Sequence, residues 1–510
     1  MNKEQSKTGK VYLVGAGPGD PGLLTVKGMH TIAAADIIIY DRLVSPRLLS
    51  YARFGAELIY VGKLPQRHTL KQEEINELIV QKALEGHTVV RLKGGDPYLF
   101  GRGGEEAELL VENGVSFEIV PGITSAIAVP AYAGIPVTHR DFTSSFAVIT
   151  GHEDPAKHET SVAWDKLATG IGTLVFLMGV GNLPFIMQKL MEGGRAPDTP
   201  VALVRWGTRP EQATLTGQLD NIVKKVQEAD FHSPAVIIVG EVVSLREKLK
   251  WFENKPLFGK RVVVTRSRSQ ASVLSQRIEE LGGDPLEFPV IEIVPPADYT
   301  PMDRAIDGIS SYHWLIFTSV NGVESFFDRL RYQQKDIRDL KGLRLCAIGP
   351  KTKEALEEKG LIVDYMPSEY RAEAIIENLK GVLKPGEKVL LPRADIARKI
   401  LSETLTAMGA EVDSVEAYRT LQGAGDAVHL REMLRDKLIH IVTFTSSSTV
   451  RNFVELLGED SKELLAGVTL ASIGPITTST AKKLGLKIDL EAREYTIEGL
   501  LQGIVDYCIN

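Results

Sequence analysis

Three segments in the second half of the chain recur after almost the same interval. "GKRVVVTR" (259–266) returns as "GEKVLLPR" (386–393), and "FTSVNGVESF" (317–326) as "FTSSSTVRNF" (444–453). "CAIGPKTKEALEEKGL" (346–361) returns as "ASIGPITTSTAKKLGL" (471–486). The offsets are 127, 127 and 125 residues, so one fortuitous slip does not account for them. Solenoid repeats recur every ~20–50 residues, far more often than this. The repeat therefore specifies two related α/β lobes, an arrangement that offers a ligand the cleft between them.

Residues 11–245 alternate short β-branched runs with helical stretches. "VYLVG", "DIIIYD", "TVVRLKG", "FAVIT", "TLVFLMG", "VALVRWG" and "AVIIVGE" read as strands separated by helical stretches. That pattern predicts an α/β fold with a largely parallel sheet. "TLKQEEINELIVQKALEG" reads as a helix, with Thr69 and Gln72 spaced for a capping box and Gly86 as its stop. The charged stretch 244–260 reads as a solvated terminal helix running into a short linker at Asn254–Pro256. At ~150 residues per domain, 510 residues allow about three units.

Composition narrows the partners. A net charge of −7 gives no general attraction for nucleic acid, so any anionic ligand needs a local cationic patch. Two cysteines, Cys346 and Cys508, make neither a disulfide framework nor a thiolate metal site, and ten histidines show no ligand spacing. No metal is expected. The polar start and the lack of ~18 uninterrupted apolar residues predict no leader peptide, no membrane span and a cytoplasmic location.

The stretch "VYLVGAGPGDPGLLT" (11–25) carries a strand into a glycine turn. Gly15 and Gly17 fit a dinucleotide fingerprint, but its third glycine is replaced by Asp20. Asp20 before Pro21 reads as a helix N-cap that occupies the donors a pyrophosphate needs. S-adenosylmethionine, a phosphate-free nucleoside with a positive sulfonium, meets those terms.

Further motifs follow in the order YDRLVS, RLKGGDP, GRGGEE, PGIT and GIPVTHRD. Over about residues 10–245 the set resembles the tetrapyrrole methylase family, most closely its uroporphyrinogen-III C-methyltransferases. The resemblance implies a two-lobed methylase fold over residues 1–250, with S-adenosyl-L-methionine between the lobes. It implies cofactor contacts at Pro18, Gly94, Gly95, Asp96, Leu99, Thr124, Ser125, Met178 and Gly207. Asp96 can instead cap the turn before Pro97. The resemblance places a catalytic base at Asp41 and a proton donor at Lys63; Asp41 can also serve as a strand-end carboxylate paired with Arg42 or a neighbour. The octacarboxylate substrate calls for cations, for which Arg91, Lys93, Arg102, His139, Arg140, Arg205 and Arg209 lie in or beside the motif loops. Homodimerisation through this half is a family expectation.

Residues 257–510 resemble uroporphyrinogen-III synthase, through "FTSVNGV", the two "IGP" turns, "FPVIEIVP" and "VDSVEAYRT". The implied fold has one lobe from about 257–290 plus 418–510 and another from 297–412. The implied chemistry closes hydroxymethylbilane with inversion of its last ring, assisted by Tyr418. Thr318, Ser319, Asn321, Thr445, Ser446 and Thr477 are the implied substrate-binding hydroxyls and amide. Ile476 stands where many relatives carry threonine. Arg266 and Arg393 occupy equivalent places in the repeat, either facing the cleft or capping their own strands.

The two resemblances together imply one bifunctional enzyme that makes uroporphyrinogen III and methylates it at C2 and C7 to precorrin-2, for sirohaem or cobalamin. The alternatives are action on a later corrin intermediate, or a two-lobed ligand-binding sensor.

Overall fold

The computed structural model describes residues 8–62, 71–152, 162–266, 268–367, 379, 381–395, 400–423 and 426–509. Contacts divide the chain into two units. One holds the residues up to Arg261 with Ile278–Asp284 and Ile509; the other holds Val262–Arg277 and Pro285–Cys508.

The first unit carries two five-stranded sheets. Strands β1 (Lys10–Gly15), β2 (Ile37–Tyr40), β3 (Glu57–Tyr60), β4 (Val89–Lys93) and β5 (Ser116–Val120) form an all-parallel sheet in the order β3-β2-β4-β1-β5. β1 and β4 are both largely buried, as a parallel sheet covered on its faces requires; β1 is mostly apolar, whereas β4, VVRLK, also buries Arg91 and Lys93. The second sheet joins β6 (Phe146–Thr150), β7 (Thr173–Leu177), β8 (Pro200–Arg205), β9 (Ala213–Gln218) and β10 (Ala235–Val239) in the order β6-β7-β10-β8-β9. Only β6 and β7 pair in parallel; β10, β8 and β9 run antiparallel to their neighbours. The expectation of a largely parallel sheet thus fails here. β9, "ATLTGQ", is a polar edge strand without the apolar run by which the others are recognised.

Two local expectations are also corrected. The helix over Gln72–Leu84 starts with the Lys71 N–H donating to Glu74 Oε2 at 2.6 Å, so Gln72 is its first residue and not a capping partner; Thr69 lies outside the described residues. Gly86 follows its end with φ +93°. The stretch from residue 244 is no solvated helix. Only Arg246–Leu249 is α-helical there, directly after a 3₁₀ helix over Glu241–Leu245, and the chain is pinned by contacts. Arg246 donates to the Ala133 carbonyl at 2.6 Å and to Glu253, while the rings of Tyr132, Trp251 and Phe252 pack mutually.

The second unit also builds two five-stranded sheets. In one, β11 (Arg261–Val264), β12 (Asp284–Glu287), β18 (Ile441–Phe444), β19 (Thr469–Ser472) and β20 (Leu490–Glu491) lie in the order β12-β11-β18-β19-β20. In the other, β13 (Ile291–Val294), β14 (Trp314–Phe317), β15 (Arg344–Ala347), β16 (Lys388–Ala394) and β17 (Glu411–Gln422) lie in the order β13-β17-β16-β14-β15. The internal repeat maps β11, β18 and β19 onto β16, β14 and β15, and each trio has the same spatial order and parallel sense. The lobes each have their own apolar core, around Phe317 and Phe326 in one and Phe444 and Phe453 in the other. These four phenylalanines are the two copies of the FTS…F motif.

Candidate active sites

In the first unit three glycine turns meet beyond the carboxyl ends of β1, β4 and β5. Gly17 and Gly95 exchange backbone hydrogen bonds, with N–O distances of 3.2 and 2.7 Å. Gly122 packs so closely that an added Cβ would lie 2.2 Å from the Gly95 carbonyl oxygen. Gly207 is similarly held, since its Cβ would meet Val129 at 2.4 Å. Only glycine permits these approaches.

The turns open on a cavity of about 220 Å³. Pro18, Gly94, Gly95, Asp96, Leu99, Thr124, Ser125, Met178 and Gly207 all line it, together with apolar walls from Leu43, Val129, Leu177, Val204 and Val236. Asp96 is engaged with the backbone: Oδ1 accepts from Tyr98 N at 2.8 Å and Oδ2 from Gly122 N at 3.0 Å. It caps its turn and faces the cavity at once. Thr124 caps the helix Ser125–Tyr132 by accepting from Ala126 N at 3.2 Å. Asp20 caps the first glycine turn, taking Gly22 N at 2.7 Å and the Tyr132 hydroxyl at 2.7 Å. The Gly22 N–H of that turn is therefore committed within the protein.

Sequence reasoning passed over Phe100 and Trp206, which also line the cavity. Their backbones, with that of Met178, sit in the left-handed region at φ +52°, +49° and +59°. Non-glycine residues there are uncommon and cluster at functional sites. Among the described residues Arg209 is the single cation of the lining; it stacks on the Trp206 ring at 5.1 Å and donates to the Leu43 carbonyl at 3.3 Å. Burial pushes its guanidinium below the ordinary arginine range. A cavity with one carboxylate, exposed glycine backbone and a lone arginine already in use suits a phosphate-free, positively charged nucleoside better than a diphosphate.

Beside it, Asp41 follows β2. Its Oδ1 accepts from Leu43 N at 3.0 Å, and Oδ2 meets the Arg91 guanidinium at 3.4 Å. Arg91 and Lys93 are not the open cations expected of substrate contacts: they are 3% and 4% exposed. Both sit on β4 and turn to Glu106, which is 1% exposed, at 3.3 and 2.5 Å. Burial, and then the charge of Arg91, hold the Lys93 ammonium below its ordinary pKa. These two residues are corrected to an internal ion network that supports Asp41. Arg102 is exposed and paired with Glu105 at 2.5 Å. His139 is half-buried against Phe142, and Arg140 is exposed; none of these three lines the cavity. Lys63 lies outside the described residues.

In the second unit Tyr418, 7% exposed on β17, places its hydroxyl 3.0 Å from Ser319 Oγ. Burial raises its pKa above the ordinary value, partly offset by hydrogen bonds from Ser319 and Asn321. Ser319 caps the helix Val320–Tyr332 by accepting from Gly322 N at 3.0 Å. Its repeat partner Ser446 caps Ser447–Leu457, accepting from Thr449 N at 3.3 Å. Thr318 and Thr445, one residue earlier, are half-buried. The structure does not place Thr477 on a surface: it is 5% exposed, whereas Ile476 beside it is 78% exposed. Successive helical residues point ~100° apart, so this turn presents the isoleucine and buries the threonine. Among the described residues, no group of three or more His, Cys, Asp or Glu converges as for a metal, and no helix is long and apolar enough to cross a membrane.

Comparison with known proteins gives two family matches. The family described as tetrapyrrole (corrin/porphyrin) methylases matches residues 10–223, and uroporphyrinogen-III synthase HemD matches residues 272–502. A porphyrin biosynthesis protein HemD from Ruminiclostridium josui is 40% identical over 498 residues, 98% of each chain. A uroporphyrinogen-III C-methyltransferase from Bacillus subtilis (strain 168) is 47% identical over 358 residues, covering 70% of this chain and 73% of that one. An S-adenosyl-L-methionine-dependent uroporphyrinogen III methyltransferase from Methanosarcina barkeri (strain Fusaro / DSM 804) is 56% identical over 241 residues, 47% of this chain and 94% of that one.

Proposed function

The chain belongs to the family of porphyrin biosynthesis proteins that join a tetrapyrrole methylase to a uroporphyrinogen-III synthase, and on that premise we propose how its residues divide the work. It is an S-adenosyl-L-methionine-dependent uroporphyrinogen-III C-methyltransferase and a uroporphyrinogen-III synthase in one chain. Residues 257–510 close hydroxymethylbilane to uroporphyrinogen III with loss of water, and residues 1–250 methylate that product at C2 and C7 to precorrin-2.

One observation carries the transferase assignment: nine residues from separate motifs between positions 18 and 207 line a single cavity. Bound there, S-adenosylmethionine supplies an electrophilic methyl group. The glycine turns offer backbone carbonyls and amides to the nucleoside, and Asp96 faces its ammonium end. Asp41 takes the pyrrole N–H proton as the ring carbon becomes nucleophilic. Arg91, fixed by Glu106 together with Lys93, orients the Asp41 carboxylate from behind. Lys63 remains the proposed proton donor, and Arg102, His139 and Arg140 the proposed partners of peripheral carboxylates.

In the synthase, Tyr418 donates a hydrogen bond to the departing hydroxyl, while Thr318, Ser319, Asn321, Thr445 and Ser446 position the flexible anionic chain. The step requires a protonated phenol, and burial shifts the Tyr418 pKa in the direction that favours that form. The methylase half pairs with a second copy, a reading supported by the exposed Tyr51, Phe54 and Leu58 at the β3 edge. The enzyme works in the cytoplasm. Supplying hydroxymethylbilane and S-adenosylmethionine to the pure chain tests the whole: a product heavier than uroporphyrinogen III by two CH2 units, each methyl gained with loss of one proton, is expected, and an unmethylated type I ring contradicts both assignments.

A further inference from the structure

The two copies of the internal repeat do not finish their first strands alike. In the second copy Arg393, on β16, is 8% exposed. In the first, Arg266, two residues beyond β11, is only half-buried, and no described residue gives its guanidinium a hydrogen bond or ion pair. Burial alone perturbs it.

Its place in the sheet is particular. From β11 the chain leaves toward β12 on one side, and from β18 it proceeds to β19 and β20 on the other. The β11–β18 junction is therefore the switch point of this sheet, where open α/β folds take ligands beyond the strand carboxyl ends. Val264 pairs with Thr443, so Arg266 and Thr445 hold corresponding positions two residues further on. The half-buried Thr445 hydroxyl also has no partner among the described residues. Ser446, next along, is occupied as the cap of its helix. The unengaged groups at this junction are thus a guanidinium fork and a hydroxyl, both able to donate to one anion.

The geometry points to Arg266 and Thr445 as a binding pair for one acetate or propionate carboxylate of hydroxymethylbilane, present in the first repeat only. This rests on the synthase reading above. The pair binds the chain before and during closure, so its loss weakens capture more than turnover. Arg266→Gln is expected to raise KM for hydroxymethylbilane about tenfold or more, as removal of a charge-assisted hydrogen bond does, with kcat within about threefold. Arg266→Lys, which keeps the charge without the fork, falls between. Methyl transfer to supplied uroporphyrinogen III stays at the native rate in both variants and certifies a folded chain. A KM within twofold of native in Arg266→Gln and Arg266→Lys, with type III ring still formed, overturns the inference and leaves the synthase reading intact. Failure of the native chain to form type III ring overturns that reading and the inference with it.

Discussion

The methylase cavity and the strand ends proposed as the synthase site meet the same demand, a place for a ligand beyond parallel strands, with different materials. The cavity is built from backbone: Gly17, Gly95 and Gly122 approach one another at distances no side chain tolerates. The strand ends of the synthase are built from hydroxyls, and several already serve the fold. Ser319 and Ser446 cap helices, and Thr477 is buried. A site made of backbone contact is brittle to single substitutions; one made of many hydroxyls spreads its energy. The contrast predicts sharp losses in the first half and shallow ones in the second.

The largest effect is expected at Asp41. Asp41→Asn keeps the shape and the Leu43 contact but removes the proposed base, so methyl transfer is expected to fall on the order of 10²–10⁴-fold while S-adenosylhomocysteine affinity is unchanged. Undiminished turnover with labelled methyl donor removes Asp41 from the mechanism. Next comes Gly122→Ala, whose Cβ would press on the Gly95 carbonyl. Affinity for S-adenosylhomocysteine is expected to drop about 100-fold, an overpacking cost of ~2–3 kcal/mol, with synthase turnover intact. Equal affinity in both forms breaks the claim that backbone approach builds the cavity.

A smaller effect belongs to Tyr418. Tyr418→Phe retains the packed ring, and ring closure should slow about tenfold. Its folded pKa lies above the ordinary 10.0, so the stability it contributes is complete below pH 10 and is lost as pH rises through the folded value. The native chain therefore loses thermal stability above pH 10, and Tyr418→Phe loses less. Identical melting curves from pH 8 to 11 contradict this. Smallest is Ile476→Thr: an exposed side chain on a turn that buries its neighbour should change synthase KM less than twofold.

The same contrast explains what was legible. GAGPGD, RLKGGDP and PGIT are contiguous because a backbone site constrains consecutive residues, and the family resemblance those motifs carry named the positions that line the cavity. The repeat was legible because each copy must rebuild the same strand, cap and helix. Arg91 and Lys93 looked like substrate cations because a sequence shows charge but not the inward face of β4, nor Glu106 opposite. Thr477 was misplaced by one residue of helical phase. Phe100 and Trp206 carried no signal, since their left-handed backbones are imposed by tertiary packing. The edge strand β9 was hidden by its polarity.

The central claim is that the glycine-turn cavity holds a sulfonium nucleoside and not a dinucleotide. Calorimetric titration of the full chain with S-adenosylhomocysteine, and separately with NAD, tests it most directly. Saturable one-to-one heat with the first and none with the second is predicted. Tight NAD binding with no heat from S-adenosylhomocysteine would contradict it.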